Sequence, residues 1–462
     1  MLFSSITFLY YFLPIVLIVY FIAPKKIKNL VLFLASLIFY AWGEPKYVVL
    51  MLLSVGIGYL AGILMEKFPK RPVMIVAVIL CLGFLVYFKY ANFFFTNLNY
   101  LLKTQIPLLK VVMPIGISFY TFQNISYILD VYFDKVKVQK NILYLATYIT
   151  MFPQLVAGPI VRYETINQQL SNRNHQIENI TEGIKRFVIG LTKKVLLANE
   201  FGELCQIFRD STEKSVLFYW LYALAAMLQI YFDFSGYSDM AIGLGKIFGF
   251  SFPENFTYPY MSRSITEFWR RWHISLGTWF RDYVYIPLGG NRKGKKRQIF
   301  HILVVWFCTG FWHGAEWNFI LWGLYFALLL VVEKLWLMEK LKKHPIFSHI
   351  YTLFFILISF VIFNADSLTE IGEYLQNMFF LGKSPIVSKE AFYYLRSFSG
   401  MIIIGIFGAT NLPKKLYEKL KGSHMVEKSL VVLEPVLIFG ALLLSTAYLI
   451  EGSFNPFLYF RF

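Results

Sequence analysis

Apolar runs near membrane length alternate along this chain with short polar and basic stretches. They cover Thr7–Ala23, Leu30–Trp42, Tyr47–Met65, Val73–Phe88, Val111–Phe133, Ile142–Val161, Gly183–Ala198, Val216–Phe234, Ile299–Phe311, Trp317–Val332, Ile350–Phe363, Gly400–Asn411 and Ser429–Ile450. In lipid every backbone group must be satisfied within the protein, so each run predicts a helix. A hydrocarbon core of about 30 Å takes about 20 helical residues. Several runs fall short of that and predict broken or re-entrant helices lining a protein-enclosed cavity. The pattern predicts an all-α polytopic membrane protein with roughly 11 transmembrane helices plus re-entrant and interfacial pieces. No internal repeat is visible, and residues 1–462 read as one membrane-embedded domain. The first run is followed by Pro24-Lys25-Lys26 and has no preceding positive charge, which predicts an uncleaved first span with its N-terminus outside.

Residues 252–296 differ in kind: aromatics and arginines abound, with no clean membrane-length run. Ser264-Ile265-Thr266-Glu267 fits a capping box that starts a helix. Phe268, Trp272, Leu276 and Phe280 then recur every four residues and give that helix one apolar face, flanked by Arg270 and Arg271. This predicts a continuous helix lying in the membrane interface, ended by Pro287 and Gly289-Gly290.

Composition strengthens the membrane reading. The chain is 57% hydrophobic and 15% charged, with a mean hydropathy of +0.56. The net charge of +17 resides in short clusters between the apolar runs, such as Lys25–Lys28, Lys193-Lys194, Arg292–Arg297 and Lys414–Lys421. Such clusters read as cytoplasmic loops that hold topology, with contacts to anionic lipid or a charged substrate as a second use. No soluble basic domain is present to carry nucleic acid, which excludes that partner class. Cys81, Cys205 and Cys308 are far apart and give neither a disulfide framework nor a zinc spacing.

Two of the seven histidines stand out. His313, in Thr309-Gly310-Phe311-Trp312-His313-Gly314-Ala315, lies between two almost uncharged runs. An ionisable group at that depth is costly and marks a functional site, and imidazole accepts a proton near neutral pH. His273 follows Trp272 on the interfacial segment. Neither has a second histidine or a carboxylate at ligand spacing, which argues against a metal and for proton transfer. A buried histidine bonded to a carbonyl is the alternative for each. Asp233 and Asp239 are placed to orient a histidine, neutralise an arginine or, for Asp239, cap a following helix. Gln123, Asn124 and Gln154 line a cavity or bridge helices.

With both histidines in view, the chain resembles the membrane-bound O-acyltransferases. Within them it is similar to the membrane subunits of alginate and peptidoglycan O-acetylation. The resemblance spans nearly the whole length. It rests on Pro114–Gln123, Phe152–Ile160, Asp233–Asp239, Phe268–Leu276, Arg281-Asp282-Tyr283, Pro287–Arg292, Trp312-His313-Gly314 and Asn455–Phe462. It implies a helical bundle around a central tunnel, with His313 near the narrowest point as general base and His273 in support. Trp312 and Asn318 would shape the pocket, with Asp233 and Asp239 nearby. Arg281, Arg292, Lys293, Lys295 and Lys296 would attract the phosphates of acetyl-CoA, the implied donor. The implied setting is the bacterial plasma (inner) membrane, with an extracytoplasmic SGNH-hydrolase-like partner and a polysaccharide acceptor. Two alternatives remain at this point: D-alanyl transfer to teichoic acid from an acyl carrier protein, and a transporter of a lipid-linked sugar or small anion.

Overall fold

A computed structural model of the protein describes residues 1–292, 294–422 and 424–452, the side chains of 424–428 excepted. Among them all regular structure is helical. Six helices are long and apolar enough to cross a membrane: Pro45–Lys67, Lys70–Leu102, Val216–Ile247, Trp317–Lys343, Pro345–Asn364 and Ser429–Glu451. A seventh crossing is counted if Lys389–Ser397 and Ser399–Gly408, bent by 54°, form one span. The expected figure of about 11 is therefore not confirmed by full-length helices. Much of the remainder is in shorter helices, such as Lys28–Ala41, Ile142–Thr150 and Ile274–Phe280.

The chain forms two compact units, one of residues 1–187 and 238–253, the other of 188–237 and 254–462. In the first, Val48–Lys67, Lys70–Leu85 and Ile117–Tyr132 pack together. Buried amides join them, as lipid-embedded helices require. Asn124 Nδ2 donates to Ser54 O at 2.6 Å and reaches Cys81 Sγ at 3.4 Å. Asn124 thus bridges helices, as does Asn29, whose Nδ2 donates to Leu170 O at 2.7 Å.

The second unit holds both candidate histidines. Its core is aromatic: Phe268, Trp272, Trp322, Phe326, Phe360 and Phe363 are all buried. One buried ion pair lies inside it. Lys194 Nζ sits 2.7 Å from Asp233 and donates to Asn199 Oδ1 at 2.8 Å. The buried carboxylate supplies the opposite charge that a lysine at this depth needs.

Candidate active site

The segment expected as one interfacial helix is broken in the middle. Ile265–Arg271 and Ile274–Phe280 are separate helices, and His273 at the break adopts φ 44° and ψ 52°. That left-handed conformation is strained for a residue with a β-carbon. Buried Asn255 holds it in place. Its Oδ1 accepts from Ser275 N at 3.1 Å and Ser275 Oγ at 2.9 Å, and its backbone carbonyl accepts from Ile274 N at 3.0 Å. The other end of the first helix is equally fixed. Ser264 Oγ accepts from Glu267 N at 2.9 Å, the expected cap, while Glu267 Oε2 accepts from Arg263 N, one residue outside the box. The remaining free amides are taken by Glu333. Its fully buried carboxylate accepts from Ile265 N at 2.6 Å, Thr266 N at 2.9 Å and Thr266 Oγ1 at 2.7 Å.

This clamp fixes the chemistry of His273. Its Nδ1 lies 3.3 Å from Asn255 Oδ1. The Ser275 backbone donor identifies that Asn255 atom as the oxygen, so Nδ1 must carry the proton. Nε2 then carries the lone pair, and among the described residues it has no hydrogen-bond partner. His273 is 1% exposed and lies outside every helix long enough to cross the membrane. Burial pushes its pKa down to about 3, so the ring is a neutral acceptor.

His313 is placed by packing instead. It ends the Lys295–His313 helix, which packs against Trp317–Val332. A β-carbon at Gly310 would strike the Phe319 carbonyl, and one at Gly323 the Trp306 carbonyl, so the close approach of these helices requires glycine at both positions. The His313 ring is 6% exposed and lies edge-on among Trp312, Trp322 and Phe363, at centroid distances of 4.9, 5.0 and 5.4 Å. Trp312 also lies 6.0 Å from the His273 ring. A single indole therefore touches both imidazoles.

A cavity of about 620 Å³ opens on His273. Trp269, Arg270, Arg281, Tyr285, Trp306 and Thr309 are among its lining residues. Trp269 Nε1 is buried without a partner among the described residues and is an available donor. Arg270 is exposed and makes no ion pair among the described residues, whereas Arg281 pairs with Asp282 at 2.6 Å. Of the expected phosphate contacts, Arg281 lines this cavity; Arg292, Lys295 and Lys296 are exposed and do not. Lys293 and the motif Asn455–Phe462 lie outside the described residues.

The other predicted residues serve the frame. Asn318 Nδ2 donates to Ala365 O at 2.8 Å and braces two helices. Asp233 pairs with Lys194, and Asp239 with Arg186 at 2.8 Å. Neither lines the cavity. Asp239 does not cap a following helix, because Val216–Ile247 runs through it unbroken. His175 and His349 are hydrogen-bonded: His175 Nε2 lies 3.0 Å from the Tyr20 hydroxyl, and His349 Nδ1 lies 3.1 Å from Ser262 O. Three residues of the site escaped sequence reasoning. Asn255 and Glu333 act across 20 and 68 residues, beyond local pattern. Arg270 carried a local signal, three residues before His273 on a helix that precedes the break.

The apolar helices define a multi-pass membrane protein, with two buried imidazoles and a cavity in its second unit. The chain belongs to the membrane-bound O-acyltransferase family, whose model matches residues 134–368, a stretch that contains both histidines and the cavity. It is an O-acyltransferase, and this sets the transporter alternative aside. A probable alginate O-acetylase of Azotobacter vinelandii is 35% identical over 100% of both chains. A peptidoglycan O-acetyltransferase of Helicobacter pylori is 34% identical over 87% of this chain and 85% of its own. A teichoic acid D-alanyltransferase of Streptococcus thermophilus is 30% identical but covers 49% of this chain and 58% of its own.

Proposed function

We propose that this protein transfers the acetyl group of acetyl-CoA for O-acetylation of a cell-envelope or extracellular polysaccharide, with His313 as general base. One observation carries the reading: a cavity large enough for the reacting end of a thioester is lined by His273, one indole away from His313. A hydroxyl oxygen attacks the thioester carbonyl carbon while the His313 imidazole takes its proton. The C–S bond breaks, the ester forms, and the imidazolium returns the proton to the departing thiolate. His313 ends its helix, where the carbonyl ends favour the cation that proton acceptance creates. His273 Nε2 accepts a hydrogen bond from the substrate and holds it against the aromatic wall. Arg270 and Arg281 attract the CoA phosphates.

The full-length similarity to alginate and peptidoglycan O-acetylating proteins favours acetyl over D-alanyl transfer, since the D-alanyl relatives match about half of the chain. Acetyl-CoA is cytoplasmic and such glycans are not, which places the protein in the bacterial plasma membrane. An extracytoplasmic SGNH-hydrolase-like partner would pass the acetyl group on. The test uses purified protein in vesicles, given labelled acetyl-CoA or a D-alanyl-loaded carrier protein. CoA thiol release with label appearing as an ester is expected from the first donor alone. Turnover of the carrier protein alone would overturn the reading.

A further inference from the structure

The first unit contains a cluster of cations that the acyl-transfer site does not use. Lys28 Nζ lies 4.3 Å from the Tyr20 ring and donates to Tyr20 O at 3.0 Å. The Arg173 guanidinium lies 4.5 Å from the Phe250 ring and 5.9 Å from that of Tyr20. The Tyr20 hydroxyl donates to Phe248 O at 2.9 Å and so accepts from His175 Nε2 at 3.0 Å. Gly249, at φ +81°, lets the backbone pass close by: a β-carbon there would stand 3.3 Å from both Arg173 Cβ and His175 Nε2. An aromatic floor thus brings together cations from the start of one helix and from the loop before another.

We infer that Lys28, Arg173 and His175 form a site for the phosphate headgroup of an anionic membrane lipid. No carboxylate pairs with Lys25, Lys28, Arg173 or His175 among the described residues, and Arg173 Nη1 is buried with no partner. Two helix C-termini absorb part of the charge, through Tyr20 O and Phe248 O. Each carries about half a negative charge, which leaves the cluster net positive. Burial, with repulsion from Arg173 and Lys25, holds Lys28 below its ordinary value. Burial, with repulsion from Lys28 and Arg173, does the same to His175, which leaves Lys28 and Arg173 as the cations of the site and His175 as a neutral ring beside them. Simple snorkelling would direct Lys28 away from the apolar surface. Its ammonium is folded over Tyr20 instead. What favours a lipid over soluble phosphate is the adjoining surface: Ile18, Phe21, Ile22, Leu30 and Leu34 are exposed apolar side chains on the helices that bear the cluster. A headgroup at the cations would lay its acyl chains along them.

The experiment measures binding of palmitoyl-oleoyl phosphatidylglycerol and of the matching phosphatidylcholine to the purified full chain by native mass spectrometry. A preference for phosphatidylglycerol is expected, falling about five-fold for each cation removed in Lys28→Gln and Lys28→Gln/Arg173→Gln. Lys414→Gln/Lys415→Gln, in a basic helix elsewhere, should leave the preference intact. An unchanged preference in Lys28→Gln overturns the proposal, and this single variant suffices if the double variant fails to fold. Inorganic phosphate that displaces the lipid at equal concentration would overturn the lipid assignment in favour of a soluble anion.

Discussion

The two histidines are held by opposite means. His273 sits at a strained break, fixed by Asn255 and, through the helix before it, by Glu333. His313 sits at the end of a helix hairpin closed by glycines and walled by aromatic rings. Directed hydrogen bonds fix which ring nitrogen of His273 accepts and where it points. Packing against three aromatic rings fixes where His313 lies. The proposed proton transfer would need both kinds of control, and here each falls to a different ring.

The comparison can be broken at its packed side with the largest effect. Gly310→Val would force the Lys295–His313 and Trp317–Val332 helices apart. A loss of about 3 kcal/mol is expected, read as a lowered thermal midpoint in detergent, with acyl transfer lost as well. A midpoint equal to wild type would show that the hairpin tolerates separation. On the hydrogen-bonded side, Asn255→Ala leaves the donors of Ser275 and His273 without their acceptor. The expected cost is about 2 kcal/mol, with kcat falling further than KM rises. A change in KM alone would mean that Asn255 acts on binding and not on the orientation of His273.

A smaller effect sharpens the picture of donor binding. Arg270→Gln should raise KM for the CoA thioester about ten-fold, the worth of one charge-assisted hydrogen bond. Lys295→Gln/Lys296→Gln should change it by less than about two-fold, as exposed charges outside the cavity do. The reverse ranking would move the phosphate site out of the cavity and onto the basic run.

The burial of His313 was legible because apolar runs flank it on both sides. The start at Ser264 was legible because a cap is a local signal. The break at His273 was not. The four-residue repeat from Phe268 to Phe280 runs straight through it, and the bonds that stabilise it come from Asn255. Asp239 illustrates the same limit in part: of the uses its sequence left open, the structure takes neutralising an arginine over capping a helix, and the partner, Arg186, is 53 residues away. The number of crossings was blurred because short apolar runs form short helices whose role depends on their neighbours.

The most direct measurement is single-turnover CoA release from acetyl-CoA by the purified protein in vesicles, comparing His313→Gln with wild type. The account predicts a fall of about 10² to 10⁴-fold with the unfolding free energy unchanged within about 1 kcal/mol. Wild-type turnover by His313→Gln would remove His313 from the chemistry and leave His273 as the group that takes the proton.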